Sequence, residues 1–200
     1  MGGVGGGVGR VGFSHAGRLV TTVDRFHTAI RLHRVRRLTT VNGVTDQLRH
    51  PGPEDHPNLV AAVRTWWGDS RTPEQAQALS LLLPRLFLEH FAGTSLLAEE
   101  DGRLHGFLVG FHSQDHAAQA YIHFVGIDPE FRGRGLARRL YETFFAAARA
   151  AGRTEVHAIT SPANTNSIAF HTKLGFEVSA PQPDYDGPGE DRVHLRRVLA

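Results

Sequence analysis

The chain has 200 residues, 40% of them hydrophobic, which suits one or two domains with a real core. It carries 13 His but no Cys, so disulfides, thiolate metal sites and a cysteine nucleophile are excluded, and the residue usage agrees with a reducing, cytoplasmic setting. The formal charge of +2 divides into a net +6 over residues 1–49 and −4 beyond them; with sparse aromatics and no binding motif beside the arginines, neither a nucleic-acid nor a membrane partner is expected.

Residues 1–43 read as a Gly/Arg-rich, weakly ordered extension. Gly2, Gly3, Gly5, Gly6, Gly7 and Gly9 favour chain entropy over a fixed fold. No Gly-Lys-Ser/Thr follows them, and they lack the continuous apolar stretch of a secretory signal. The most apolar run, residues 79–88, is interrupted by Pro84 and Arg85 and is too short for a membrane span. Residues 44–200 read as the folded domain.

The domain opens with a short strand near Gln47–His50. A helix from Glu54 follows, carrying Leu59, Val60, Val63, Trp66 and Trp67, and Gly68-Asp69-Ser70 breaks it. Two adjacent tryptophans on one helix cannot both face the core, so one is expected at a groove or surface. Pro73 starts a second helix with Ala78, Leu82, Leu86 and His90 at helical spacing, ended by Gly93. Strands are expected at 95–99, 104–111 and 120–127, the first two joined by an Asp101-Gly102 hairpin turn. A strongly amphipathic helix covers 135–151, with Gly152 as its stop. A strand at 155–160, a short helix at 166–174 and two closing strands at 176–179 and 192–199 complete the order. Helices interleaved with a mixed sheet make the fold α/β or α+β.

The most informative stretch joins the 120–127 strand to the long helix, Asp128-Pro129-Glu130-Phe131-Arg132-Gly133-Arg134-Gly135-Leu136-Ala137. Pro129 ends the strand. Gly133 and Gly135 permit positive φ and close approach by a ligand, and the helix begins at once, so its unpaired N–H groups form a cradle for an anion such as a diphosphate. Arg132 and Arg134 add charge beside it. A second stretch, Ser161-Pro162-Ala163-Asn164-Thr165-Asn166-Ser167-Ile168-Ala169-Phe170-His171-Thr172-Lys173-Leu174-Gly175-Phe176, lies about thirty residues further on.

With these two stretches, Arg132-x-x-Gly135-x-Ala137 and Ser161–Phe176, the chain resembles the GNAT superfamily, the GCN5-related N-acetyltransferases. The resemblance implies a mixed, mostly antiparallel central sheet flanked by helices, with two parallel strands, 120–127 and 155–160, splayed at the cofactor site. It implies acetyl-CoA as co-substrate, no metal, and direct transfer of the acetyl group to a primary amine of a small molecule. A protein or peptide amine as acceptor, or a CoA-binding module without catalysis, are the alternatives; a monomer or homodimer is expected.

Residue by residue, the resemblance places the backbone of Val125, Gly126 and Ile127 along the acyl and pantetheine part of the cofactor, with the Val125 N–H facing the thioester oxyanion. Arg132, Gly133, Arg134, Gly135, Leu136 and Ala137 would hold the diphosphate, and the Asn164 side chain the pantetheine arm. His171 stands where many members carry a tyrosine that protonates the departing thiolate; an imidazolium can do the same, or the ring can orient the sulfur or simply pack. The acceptor must lose a proton before it attacks. A position that holds a basic glutamate in some relatives is Ile159 here, which leaves His123, Glu99, Glu100 or a water chain. Alternation puts Tyr121, His123 and Val125 on one face of their strand. Trp66, Trp67, Asp69, Arg71 and the segment 181–191 are the acceptor-side candidates. No metal-ligand spacing and no Gly-x-Ser-x-Gly elbow occurs.

Overall fold

A computed structural model describes residues 46–67 and 71–200. The Gly/Arg-rich extension and the Gly68-Asp69-Ser70 break, with Asp69, lie outside the described residues. Seven strands form one sheet: β1 (Gln47–Arg49), β2 (Leu96–Glu100), β3 (Arg103–His112), β4 (Gln119–Ile127), β5 (Glu155–Thr160), β6 (Glu177–Val178) and β7 (Val193–Val198). The α-helices among the described residues are α1 (His56–Trp66), α2 (Pro73–Ser80), α3 (Leu86–His90), α4 (Leu136–Ala150) and α5 (Thr165–Lys173). The sheet order is β1-β2-β3-β4-β5-β7-β6, and only β4 and β5 run parallel. The mixed, mostly antiparallel sheet expected from the sequence is the one observed.

Each face of the sheet has its own core. On one face α4 buries Leu136, Leu140, Tyr141, Phe144, Phe145 and Ala148, at the helical spacing that defines its apolar stripe. These pack with Leu108, Ile122, Val156, Leu195, Leu174 and Phe176. Each fully buried Leu or Phe stabilises the fold by about 1.5–3 kcal/mol, so α4 is the main clamp on this face. On the opposite face Leu59, Val63 and Trp66 of α1 meet Leu83 and Leu88, over Leu97, Phe107 and Val109 of the sheet.

The long second helix expected from 73 to 90 is two helices. α2 ends at Ser80 and α3 starts at Leu86. Pro84 has no N–H to give, and its ring would clash with the Ser80 carbonyl four residues back, so the apolar periodicity that runs through the break could not outweigh it. Leu81, Leu82 and Leu86 consequently stay exposed.

The two tryptophans differ in burial: Trp66 is buried in the core and Trp67 is half-buried. Trp66 stacks on Phe107 with ring centroids 5.9 Å apart, and Trp67 on Phe124 at 5.6 Å.

Candidate active site

Two irregularities in the sheet shape the site. The first is the parallel pair. β4 and β5 are in register only from Gln119↔Glu155 to Tyr121↔His157, after which β4 continues to Ile127 while β5 stays paired with β7 as far as Thr160. The strands therefore part along His123–Ile127, leaving β4 without a partner on that side. The second is a bulge. Ile122 pairs with Gly110 and Phe124 with Val109, so His123 is an extra residue in β4. A bulge re-aims the strand beyond it. Ile122, Val125 and Ile127 pack with α4, whereas Phe124 packs with α1. Tyr121 and His123 join the α1–α3 side, stacking on Phe111 and Phe87. The simple alternation that grouped Val125 with Tyr121 and His123 is thus overturned by one inserted residue.

At the end of β4 the chain makes a tight turn over Pro129–Phe131, closed by the Asp128 side chain, which accepts from the Glu130 N–H. Gly133 and Gly135 both have positive φ, 75° and 83°, which only glycine adopts without strain. Gly135 caps α4 with no side chain on its first turn, and the first bond back into the helix is from the Arg139 N–H to the Gly135 carbonyl. Every N–H from Gly133 to Arg138 lacks an acceptor among the described residues. A Cβ built at either glycine would touch nothing within 4 Å, so the space beside these two residues is open among the described residues. Six consecutive free amides at the positive end of a 15-residue helix form an anion cradle.

The profile of the acetyltransferase (GNAT) family matches residues 60–176, more than half of the chain. The chain belongs to the GNAT family. It is 32% identical over 92 residues to the L-2,4-diaminobutyric acid acetyltransferase of Halalkalibacterium halodurans, a stretch that is 46% of this chain and 49% of that protein. The chain spans about half the length of the curated relatives it matches. Among solved structures it is similar to Ard1 from Thermoplasma volcanium, with a TM-score of 0.63 and 23% identity over 78% of this chain and 99% of that one. It is also similar to yncA from Salmonella typhimurium with its cofactor acetyl-CoA, with a TM-score of 0.56 and 20% identity over 78% and 95% of the two chains.

This GNAT chain uses several expected site residues for jobs within the protein. The Arg132 guanidinium reaches back to the Ile127 carbonyl (3.3 Å) and the Trp66 carbonyl (3.2 Å), pinning the turn to α1. Arg134 lies over the Phe131 ring at 4.9 Å, and His105 stacks on that ring at 3.6 Å. Gly126 has a packing reason: a Cβ there would come within 2.5 Å of Phe107. Asn164 caps α5, its Oδ1 accepting from the Ser167 N–H, and it is exposed.

His171 is buried rather than open to the parted strands. Its Nδ1 donates to the Ser167 carbonyl at 2.8 Å, which leaves Nε2 to accept from the Tyr141 hydroxyl at 2.9 Å. Burial pushes its pKa below the ordinary histidine value, against a smaller opposing effect of the Ser167 bond. Burial thus disfavours the charged ring. Of the other titratable candidates, Glu99 is held in a two-bond fork by Arg49, which Asp55 also grips.

His123 is held differently. Its Nε2 donates to the Leu82 carbonyl at 2.6 Å, and its ring lies parallel to Phe87, centroids 4.4 Å apart. Tyr121, its neighbour on the same face, is pushed up to about 12, first by burial and then by Tyr185 and Asp186 of the β6–β7 loop. The α2–α3 turn, α3 and β3 thus meet on this side of β4. Leu82 and Phe87 were the residues the sequence did not single out for the site; their signal, an exposed leucine beside Pro84, was legible only as part of a helix.

No helix among the described residues is long and apolar enough to cross a membrane, and no group of three or more His, Asp or Glu among them could hold a metal ion.

Proposed function

We propose that this protein transfers the acetyl group of acetyl-CoA to a primary amine of a small molecule, by direct attack within a ternary complex. The observation that carries the reading is the open run of N–H donors from Gly133 to Arg138, set where β4 and β5 part. The donors suit the diphosphate of CoA. The unpartnered edge of β4, Val125 to Ile127, suits the amide-bearing pantetheine arm, which can pair with it as another strand would. Arg134 adds charge beside the diphosphate, Arg132 acts by fixing the turn, and Asn164, whose Oδ1 caps α5, has its Nδ2 to offer the arm.

In this reading the amine nitrogen attacks the thioester carbonyl carbon. The oxygen that gains charge is met by the Val125 N–H. The tetrahedral species then collapses, the C–S bond breaks, and a proton ends on sulfur. A thiol with a pKa of about 8.5 is a good enough leaving group to depart without a dedicated acid, which fits a buried, internally bonded His171. Much of the rate comes from holding the amine in line with the thioester. A small-molecule acceptor fits the name of the diaminobutyric acid acetyltransferase relative, and a cytoplasmic location fits a chain without cysteine.

The test is a panel of small amines and lysine peptides incubated with protein and acetyl-CoA, with free thiol release followed. Amine-dependent release with small amines is the expected result. Release with peptides alone would move the acceptor to protein, and tight CoA binding without release would make the chain a CoA-binding module.

A further inference from the structure

We infer that the acceptor carries its amine on an apolar body, aliphatic or aromatic, without a carboxylate, and that Leu82 and Tyr185 select it; this rests on the transfer reading above. The helical cover on one face of the sheet stops at β4. The core under α1 and α3 takes residues from β2, β3 and β4 and, among the described residues, none from β5 or β7. Val156, Ala158 and Leu195 pack with α4 on the other face. Alternation therefore turns His157, Ile159, His194 and Arg196 to the uncovered side, where His157 stands beside its register partner Tyr121.

Two segments border this strip. At its β4 flank is the α2–α3 turn, held to the strand by the Leu82 carbonyl, which accepts from His123 at 2.6 Å. At its β7 flank is the 181–191 loop, whose Tyr185 ring meets His194 edge-on with centroids 5.1 Å apart. The gap where β4 and β5 part falls between the two flanks, because the strand order there is β4-β5-β7.

The charged side chains of the strip are paired with one another. Glu155 accepts from Arg196 at 2.5 Å and from His157 at 2.9 Å, and Arg196 also reaches Glu177 at 3.1 Å. His194 Nε2 lies 2.8 Å from the Gln182 amide oxygen. In the loop Arg192 holds Asp186 and Glu190, while Asp184 and Asp191 accept from the backbone N–H groups of Gly189 and Asp184. A carboxylate on the acceptor, as in a diamino acid, would have to draw Arg196 or Arg192 away from two partners each. What the flanks offer instead is apolar: Leu82 is 50% exposed and Tyr185 46%, with Leu81 and Leu86 exposed on the same turn as Leu82. Large apolar side chains left in water around a polar strip gain by covering an apolar ligand, in proportion to the area removed from water.

The test measures kcat/KM for acetyl-CoA-dependent thiol release with the n-alkylamines from ethylamine to hexylamine, with phenylethylamine and with diaminobutyrate. Each added CH2 should raise kcat/KM about two- to fourfold, and diaminobutyrate should fall at least about tenfold below hexylamine. Leu82→Ser and Tyr185→Ser, both at exposed positions, should each cut the ratio of hexylamine to ethylamine about fivefold, with CoA affinity by calorimetry reporting that the fold is intact. A flat alkylamine series, or a preference for diaminobutyrate, would overturn the inference and leave the transfer reading standing. Ratios unchanged in both variants would show that Leu82 and Tyr185 do not select the acceptor. If no amine releases thiol, the transfer reading falls and this inference falls with it.

Discussion

His171 shows how one residue type can be read two ways from sequence and one way from its bonds. Exposed, an imidazole there could donate a proton; buried between Ser167 and Tyr141, it is an internal link between α5 and α4. Two predictions belong to it. His171→Ala leaves the buried Tyr141 hydroxyl without its acceptor, which costs about 1–3 kcal/mol, so the denaturant midpoint should fall while kcat per folded molecule stays within about threefold. The second concerns pH. Because burial lowers the folded-state pKa, the unfolded chain binds this proton first. The stabilisation is therefore present above the ordinary value near 6.5 and is lost as pH falls below it. Unfolding curves at pH 7.5 and 5.5 should show a smaller drop for His171→Gln than for the unaltered protein. An unchanged drop would mean that the site does not exclude the charged ring.

At the scale of elements, the junction of β4 with α4 combines a turn that needs glycine with a helix start that has no side-chain cap. Gly135→Ala should cost about 1–2 kcal/mol from the left-handed backbone alone, since its Cβ meets no neighbour. Gly135→Glu adds a carboxylate in front of the free amides. CoA affinity, measured by titration calorimetry, should fall far more for Glu than for Ala; equal affinities would place the diphosphate elsewhere. This junction was legible in the sequence because every cause is local: a proline, two glycines and an amphipathic run. Pro84 signals the α2–α3 break as well, but the apolar spacing runs straight across it.

At the scale of the whole molecule, the edge of the sheet rests on a buried pair. His105 is an extra residue in β3, set where the register with β2 shifts, and its Nδ1 lies 2.6 Å from Asp46, just ahead of β1. Arg139 of α4 also bonds the Asp46 carbonyl at 2.8 Å. A chain of residues 44–200 is therefore expected to fold and bind CoA. A chain of 47–200, lacking Asp46, leaves the buried His105 Nδ1 without its hydrogen-bond partner and should lose about 1–3 kcal/mol, read from the thermal midpoint and denaturant curves. Equal stability of the two would show that the pair contributes nothing to the fold.

What the sequence determined by itself follows from short-range causes. Proline, glycine and the 3.6- and 2-residue periods fixed the number and kind of most elements, the positive-φ glycines at 133 and 135, and the amides that follow them. Tertiary structure decided what depends on partners far along the chain. The bulge that turns His123 away from Val125 exists only in the pairing of β4 with β3. Leu82 reaches His123 from 41 residues away, and Tyr141 meets His171 from 30. A side chain's charge state and its freedom to act are set by such neighbours, and no local pattern encodes them.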